Sequence, residues 1–450
     1  MQKKQIKIDF DKKCGKIKPM HCINGGPRSG GYDLPFDLSE EMSAMGVPLV
    51  RTVGFAGEYG YNQYINIHCI FPDFSADEQL EESYNFLPTD LYLASIKGCG
   101  ADIFFRLGES REPYARKLYT APPADPAKWA RICEHIIMHY NEGWANGFKL
   151  NIKNWEIWSA PDSFECWSGE AQEYYELYRV CANHLKERFP KIKVGAYGAG
   201  GFYSLNRLDA TEEMKGYIPF MQKFLAYITS EQTRAPLDFF TWCCYTSNPD
   251  EIYTHSQYAR SYLDSAGLRR AKSIICEYNT TRTGELPPAL RQGYAAEVGM
   301  ALINGQKSSA DMMMYSTSDV NSAENGLYTI DDRHSVHRYA AFNVMCAYSG
   351  LYKLGTAVDS GDDHRKEVYT LAAYNGKEGA IMTVIGRYEG RLELLLNGSA
   401  FDACTVVKVS PDGERGKGTV YRSRELAVSG GKLALSVKPG EIYTVNLYTK

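Results

Sequence analysis

Eight short apolar runs, each followed by a stretch of helical periodicity, restrict what this chain can fold into. The runs are Met20–Asn24, Val47–Val53, Asp102–Leu107, Asn154–Trp158, Lys193–Tyr197, Phe239–Tyr245, Ser273–Tyr278 and Asp311–Ser316. The helical patterns are Leu38–Met45, Thr89–Lys97, Pro126–Tyr140, Ala171–Arg188, Thr211–Tyr227, Ser256–Ala266, Leu290–Ile303 and His337–Tyr348. Strands that are apolar throughout are buried on both faces, and strands linked through helices run parallel. Eight such units predict an α/β fold, a closed (β/α)8 TIM barrel of about 250 residues. The alternative, an open doubly wound sheet, carries a glycine-rich phosphate turn after its first strand. Gly25-Gly26-Pro27 follows the first run, but neither GxGxxG nor GxxxxGK(S/T) occurs. No cofactor is expected.

The texture changes after Lys353. Short alternating runs follow: Glu367–Tyr374, Ala380–Ile385, Arg391–Leu396, Cys404–Val409, Lys432–Val437 and Ile442–Tyr448. Asn375-Gly376, Asn397-Gly398, Asp412-Gly413 and Gly430-Gly431 punctuate them, and the combination predicts a β-sandwich. The expected division is a barrel over 15–352, a C-terminal sandwich over 353–450, and an N-terminal segment 1–14 whose residues Gln5–Ile8 pair with the sandwich.

Composition narrows the partners. A net charge of −4 carries no footprint for nucleic acid or for an anionic membrane surface. No apolar run approaches the roughly 18 residues of a membrane span, and the start, Met1 to Asp9, lacks the apolar stretch of a signal peptide. Twelve scattered cysteines without a CxxC pair read as reduced, buried thiols of a cytoplasmic protein. His135 and His139 have metal-ligand spacing on a predicted helix, but no third ligand stands near them, so no metal site is expected. A homo-oligomer is left open.

Two strand ends carry the chemistry. Run seven closes on Glu277, within Ile274-Ile275-Cys276-Glu277-Tyr278-Asn279, and run four leads into Trp158-Ser159-Ala160-Pro161-Asp162. Barrel enzymes place their reactive groups at the C-terminal strand ends. A lone glutamate there is either catalytic or one half of an ion pair. The stretch Gly54–Pro88 after run two holds Tyr59, Tyr61, Tyr64, His68, Phe71, Phe74, Tyr84 and Phe86. It reads either as a sugar-stacking loop or as a loop packed on its own side chains.

The segment Asn154–Gly169 (NWEIWSAPDSFECWSG) resembles the acid/base strand and loop of glycoside hydrolase family 39, the β-xylosidase and α-L-iduronidase family. That family's run is typically Trp-Glu-Ile-Trp-Asn-Glu-Pro-Asp, followed by Phe-Trp-x-Gly. Ile274–Asn279 is similar to its nucleophile strand. Leu49–Gly54, Ile70–Phe74, Tyr84–Asp90 and Phe105–Ser110 match in order and spacing. The resemblance implies a retaining, exo-acting glycosidase for a small-molecule or oligosaccharide glycoside of pentoside or uronide type, with Glu277 as nucleophile. Position 160 then corresponds to the acid/base, and Ser159 to the Asn that precedes it. Cys243 stands where the related pattern usually has His. Retaining glycosidases need two carboxyl groups roughly 5–5.5 Å apart, and this chain has alanine at one of the two places.

Three accounts of Ala160 are open: an engineered substitution in an otherwise active enzyme, an enzyme whose acid is Asp162, Glu165, Glu58 or Glu109, and a sugar-binding pseudoenzyme. By position, Arg51, Arg106 and Glu109 are candidate pocket residues. Trp158, Phe164, Trp167, Trp242, Tyr245, Tyr278 and Tyr315 are candidate stacking or contact residues. Glu156, in mid-strand, reads as structural.

Overall fold

The computed structural model describes residues 3–26, 38–53, 64–112, 114–280, 294–316, 326–330, 335–361, 367–398, 400–410 and 419–450. A long first strand, β1 (Lys3–Lys16), precedes eight short ones: β2 (Cys22–Asn24), β3 (Leu49–Arg51), β4 (Asp102–Leu107), β5 (Asn154–Ile157), β6 (Lys193–Ala199), β7 (Phe239–Tyr245), β8 (Lys272–Asn279) and β9 (Met312–Tyr315). Strands β2 to β9 pair in parallel, in chain order, and β9 returns to β2 to close the barrel. The chain is therefore a TIM barrel with a separate mixed sheet, as the alternating pattern predicts.

Side-chain alternation builds the barrel interior in layers. Cys22, Leu49, Phe104, Phe239, Ile274 and Met314 form a dry apolar floor. Two residues further along their strands, Asn24, Arg51 and Arg106 are buried as well, and with Glu156 and Thr241 they make a polar layer above it. The intervening residues, among them Ile23, Val50, Phe105, Trp155, Trp242 and Ile275, face the helices and belong to the main core. The interior thus turns from apolar to charged toward the C-terminal strand ends.

One irregularity breaks this alternation. Trp242 pairs with Ile275, but Cys243 pairs with Glu277, so Cys276 is an extra residue in β8. The register against β9 shifts at the same place. A bulge re-aims the residues after it. Strict alternation from Ile274 would put Tyr278 inside and Glu277 outside; the bulge exchanges them.

The helices around the barrel follow local rules. Asp125 caps Pro126–Asn141 by accepting from the Ala127 and Lys128 amides, and Glu170 with Glu173 forms a capping box on Ala171–Arg188. The helix predicted to begin at Ser256 begins at Asp250, because Asp250 and Glu251 favour a first turn that apolar periodicity does not mark. The predicted start at His337 is strand instead: Val336–Arg338 pairs with Tyr328–Ile330, and the helix is Ala340–Leu354. Leu290 lies outside the described residues, and the helix there is Tyr294–Lys307.

The C-terminal region, where the pattern predicts a β-sandwich, is one connected ten-strand mixed sheet around an apolar core. Strand β1 is part of it, parallel to Gly390–Asn397 and antiparallel to Thr356–Asp359. Ile6, Ile8 and Phe10 carry the chain's first strand into that core. Among the described residues no helix is long and apolar enough to cross a membrane.

Candidate active site

Both carboxylate oxygens of Glu277 are held. Arg51 Nη1 lies 3.2 Å from Oε1, and the Tyr245 hydroxyl donates to Oε2 at 2.6 Å. Ser316 Oγ is 3.0 Å from that hydroxyl. Burial and the neighbouring Glu277 charge push the Tyr245 phenol well above its ordinary value, so it stays a donor.

Arg51 is wholly buried and ties the strand ends together. It donates from Nε and Nη2 to Glu156 Oε2 at 2.7 and 2.6 Å, from Nη1 to Asn24 Oδ1 at 2.9 Å, and from Nη2 to Ser159 Oγ at 3.0 Å. Thr241 donates to the other Glu156 oxygen at 2.5 Å. Burial pushes the Glu156 carboxyl up, while Arg51 and Thr241 pull against it. The hydrogen-bonded Arg51–Glu156 pair forms a fixed base beside Glu277 and Ser159.

The end of β5 is shaped by its backbone. Trp158 has φ 70° and Ala160 φ 49°, the left-handed region that non-glycine residues seldom occupy. The Trp158 amide donates to Leu107 O and the Ala160 amide to Tyr197 O, both at 2.6 Å, fixing the turn between β4 and β6. Gly198 is needed beside it: a Cβ there would lie 3.0 Å from Ser159 Oγ and 3.3 Å from Arg51 Nη2. Ala160, Ser159, Glu109, Tyr245 and Glu277 line one open cavity of about 440 Å³. That is within the range of small-ligand pockets.

Glu109, just past β4, is 6% exposed and bound to His68 through the backbone amide at 3.0 Å and Nδ1 at 2.5 Å. Burial disfavours the His68 imidazolium, but Cys69 and the Glu109 carboxylate outweigh it and push the group up to about 10. The Tyr119 ring stacks on His68 at 3.5 Å. Arg106 lines the cavity, donating from Nη2 to Asn66 and Ser110. Its Nε and Nη1 have no partner among the described residues, and burial lowers it to about 10.

The structure thus brings Arg51, Arg106, Glu109, Ser159, Ala160, Tyr245 and Glu277 together. Four other predicted contact residues do not line the cavity. Trp158 packs on Trp129 and Trp167 and donates to Cys166 O; Trp242 donates to Ser273 Oγ. Tyr278 reaches Met345 on the helix layer and packs edge-on against Tyr315. Alternation sends Trp242 and Tyr315 outward, and the bulge does so for Tyr278. Of the other aromatics, Trp167 is core and Phe164 is 66% exposed.

Asp162 accepts from the Gly200 amide, Glu165 pairs with Arg111, and Glu58 lies outside the described residues. From residue 64 on, the aromatic loop packs on itself and on helix Pro126–Asn141: Tyr84 stacks on Phe86, and Phe86 on His139. His139 binds Asp90 and Trp144 O, and His135 binds Arg131 O. Sequence reasoning missed Tyr203, Arg207 and Tyr217, which complete the cavity beyond β6. The run Phe202-Tyr203, with Arg207 four residues on, follows a strand end and was the available signal.

Residues 5–279 match the model of "Glycosyl hydrolases family 39". The chain belongs to that family. The match spans the barrel through the end of β8, so both Ala160 and Glu277 fall inside it. A β-xylosidase of Geobacillus stearothermophilus is 21% identical over 263 residues, 55% of this chain and 51% of that protein. The chain thus matches about half the length of that relative. Among solved structures, a glucosidase from Croceicoccus marinus superposes with a TM-score of 0.79 at 22% identity, over 100% of both chains. A monomeric β-xylosidase from Caulobacter crescentus gives 0.70 at 14% identity, over 99% of both. Family 39 membership and these superpositions agree with the barrel and C-terminal sheet described above.

Proposed function

We propose that this family 39 chain is a retaining, exo-acting glycosidase for pentoside- or uronide-type glycosides, with Glu277 as nucleophile and Ala160 at the acid/base position. The observation that carries the reading is the grip of Arg51 and Tyr245 on Glu277 in the cavity that Ala160 also lines. The β-xylosidases among its relatives favour the pentoside branch.

In this reading Glu277 attacks the anomeric carbon through an oxocarbenium-like transition state and becomes a glycosyl ester. Arg51 and Tyr245 orient the attacking carboxylate and receive it when it leaves. A carboxylic acid at 160 would protonate the departing oxygen and then deprotonate water; the methyl group of Ala160 does neither. Such help is worth roughly 10²–10⁴-fold. This chain therefore handles only leaving groups that need no proton.

The left-handed backbone at 158 and 160, braced by Leu107 and Tyr197 respectively, is a costly way to hold a methyl group. It supports the account in which alanine, engineered or otherwise, replaced a glutamate in a working site. The alanine itself favours a second reading, a sugar-binding protein without turnover. The test is Ala160→Glu assayed on unactivated pentosides, followed by Glu277→Ala in that background. Cleavage gained by the first change and abolished by the second is expected. An unchanged rate after Ala160→Glu overturns the assignment.

A further inference from the structure

Arg51 keeps two carboxylate partners only while Glu277 is free. Arg51 and Arg106 are buried on the barrel interior; Glu156 and Glu277 pair with Arg51, and Glu109 and Glu156 are the carboxylates that act on Arg106. Glu109 and His68 form a closed pair beside them. Once Glu277 becomes a glycosyl ester its charge is gone, Arg51 keeps Glu156 as its one carboxylate partner among the described residues, and that carboxylate is shared with Arg106. A carboxylate at 160 would restore the balance at that moment, and Ala160 does not. Arg51 sits at the junction: Nη1 is 3.2 Å from Glu277, and Nη2 binds Ser159, the neighbour of Ala160. Arg106 is 1% exposed, lines the same cavity and has two nitrogens without a partner among the described residues. A buried charge that loses its counter-ion favours an anion from outside.

We propose that the space beside Ala160 accepts an oxyanion, a free phosphate or a carboxylate, and that this anion is the acceptor or leaving group of the reaction. The inference rests on Glu277 being the nucleophile. In the acceptor direction an anionic oxygen forms a bond to the anomeric carbon while the bond from that carbon to Glu277 breaks. Glu277 departs as carboxylate, and the product is a glycosyl phosphate or glycosyl ester of retained configuration. No proton moves and no electrons are exchanged. In reverse, a glycosyl phosphate transfers its sugar to Glu277 and releases phosphate, again without a proton. A site with no acid/base is thereby sufficient for transfer, though not for ordinary hydrolysis.

The test uses the full chain with a panel of 2,4-dinitrophenyl pentosides and the glucoside, at constant ionic strength in chloride, phosphate, acetate or azide. Phosphate or acetate should raise steady-state turnover saturably, by about tenfold or more, against the 10²–10⁴ range for acid/base help. The retained glycosyl phosphate or acetate should be visible by NMR. A rise with phosphate alone assigns phosphate, and with acetate alone a carboxylate. In Ala160→Glu the effect should vanish, because the new side chain fills and charges the space. Acceleration by azide with phosphate and acetate at the chloride level overturns this proposal and leaves the nucleophile assignment standing. No dinitrophenol release even with azide overturns the assignment of Glu277, and the proposal with it.

Discussion

The ends of β5 and β8 are prepared to similar degrees and finished differently. At β8, a bulge, an arginine and a tyrosine converge on a carboxylate. At β5, two left-handed residues, a required glycine and two 2.6 Å backbone hydrogen bonds converge on a methyl group. A backbone can be held as firmly around a methyl group as around a carboxylate. The proposed acid/base role of position 160 leans on that bracing.

Four measurements stress that comparison. Arg51→Ala should have the largest effect on stability, because it strands Glu156 in the interior and loosens Glu277. Breaking a buried pair costs about 3–5 kcal/mol, which denaturant unfolding would register; a change below about 1 kcal/mol would mean that Arg51 is not the link between the two ends. Tyr245→Phe removes a hydrogen bond to a charged group, worth about 1.5–3 kcal/mol. Release of dinitrophenol in azide should slow by roughly tenfold to a hundredfold, with the fold intact by circular dichroism.

The His68–Glu109 pair gives a pH signature beside the β5 end. His68 is raised in the folded state to about 10 from the ordinary 6.5. Its contribution to stability is therefore complete below about pH 6.5 and declines as pH rises toward 10. His68→Gln should flatten the stability profile over that window; an unchanged slope would remove the pair from the account. The smallest effect is expected from Ala160→Gly. Relief of a left-handed alanine, about 1–2 kcal/mol, is offset by the extra unfolded-state freedom of glycine, about 0.5–1 kcal/mol. A net gain of up to about 1.5 kcal/mol in calorimetry would show that the turn at 160 is strained; a loss would show that it is relaxed.

The repeating strand-and-helix pattern made the barrel legible, and the strand-end segments at 154–169 and 274–279 made two halves of the cavity legible. What escaped was orientation. Period-two alternation would have excluded Trp242 and Tyr315, which sit one residue out of phase with Cys243 and Met314. It would also have excluded Glu277, because nothing in Ile-Ile-Cys-Glu-Tyr announces an extra residue at Cys276. Glu156 is in phase with the interior, and only its partners in three dimensions, Arg51 and Thr241, reveal why a carboxylate is buried there. Tyr203, Arg207 and Tyr217 come from a loop and a helix whose distance from the strand ends is set by tertiary packing.

Strand β1 has a consequence for biogenesis. Gln5 meets Glu393 across 388 positions of chain, so β1 stays without its parallel partner until Gly390–Asn397 has been synthesised. Entropy does not forbid so wide a loop, since each doubling of length adds only about 0.6 kcal/mol. But the strand must remain soluble meanwhile, and its lysines, at positions 3, 4, 7, 12, 13 and 16, are the kind of charge that keeps a lone edge from finding the wrong neighbour.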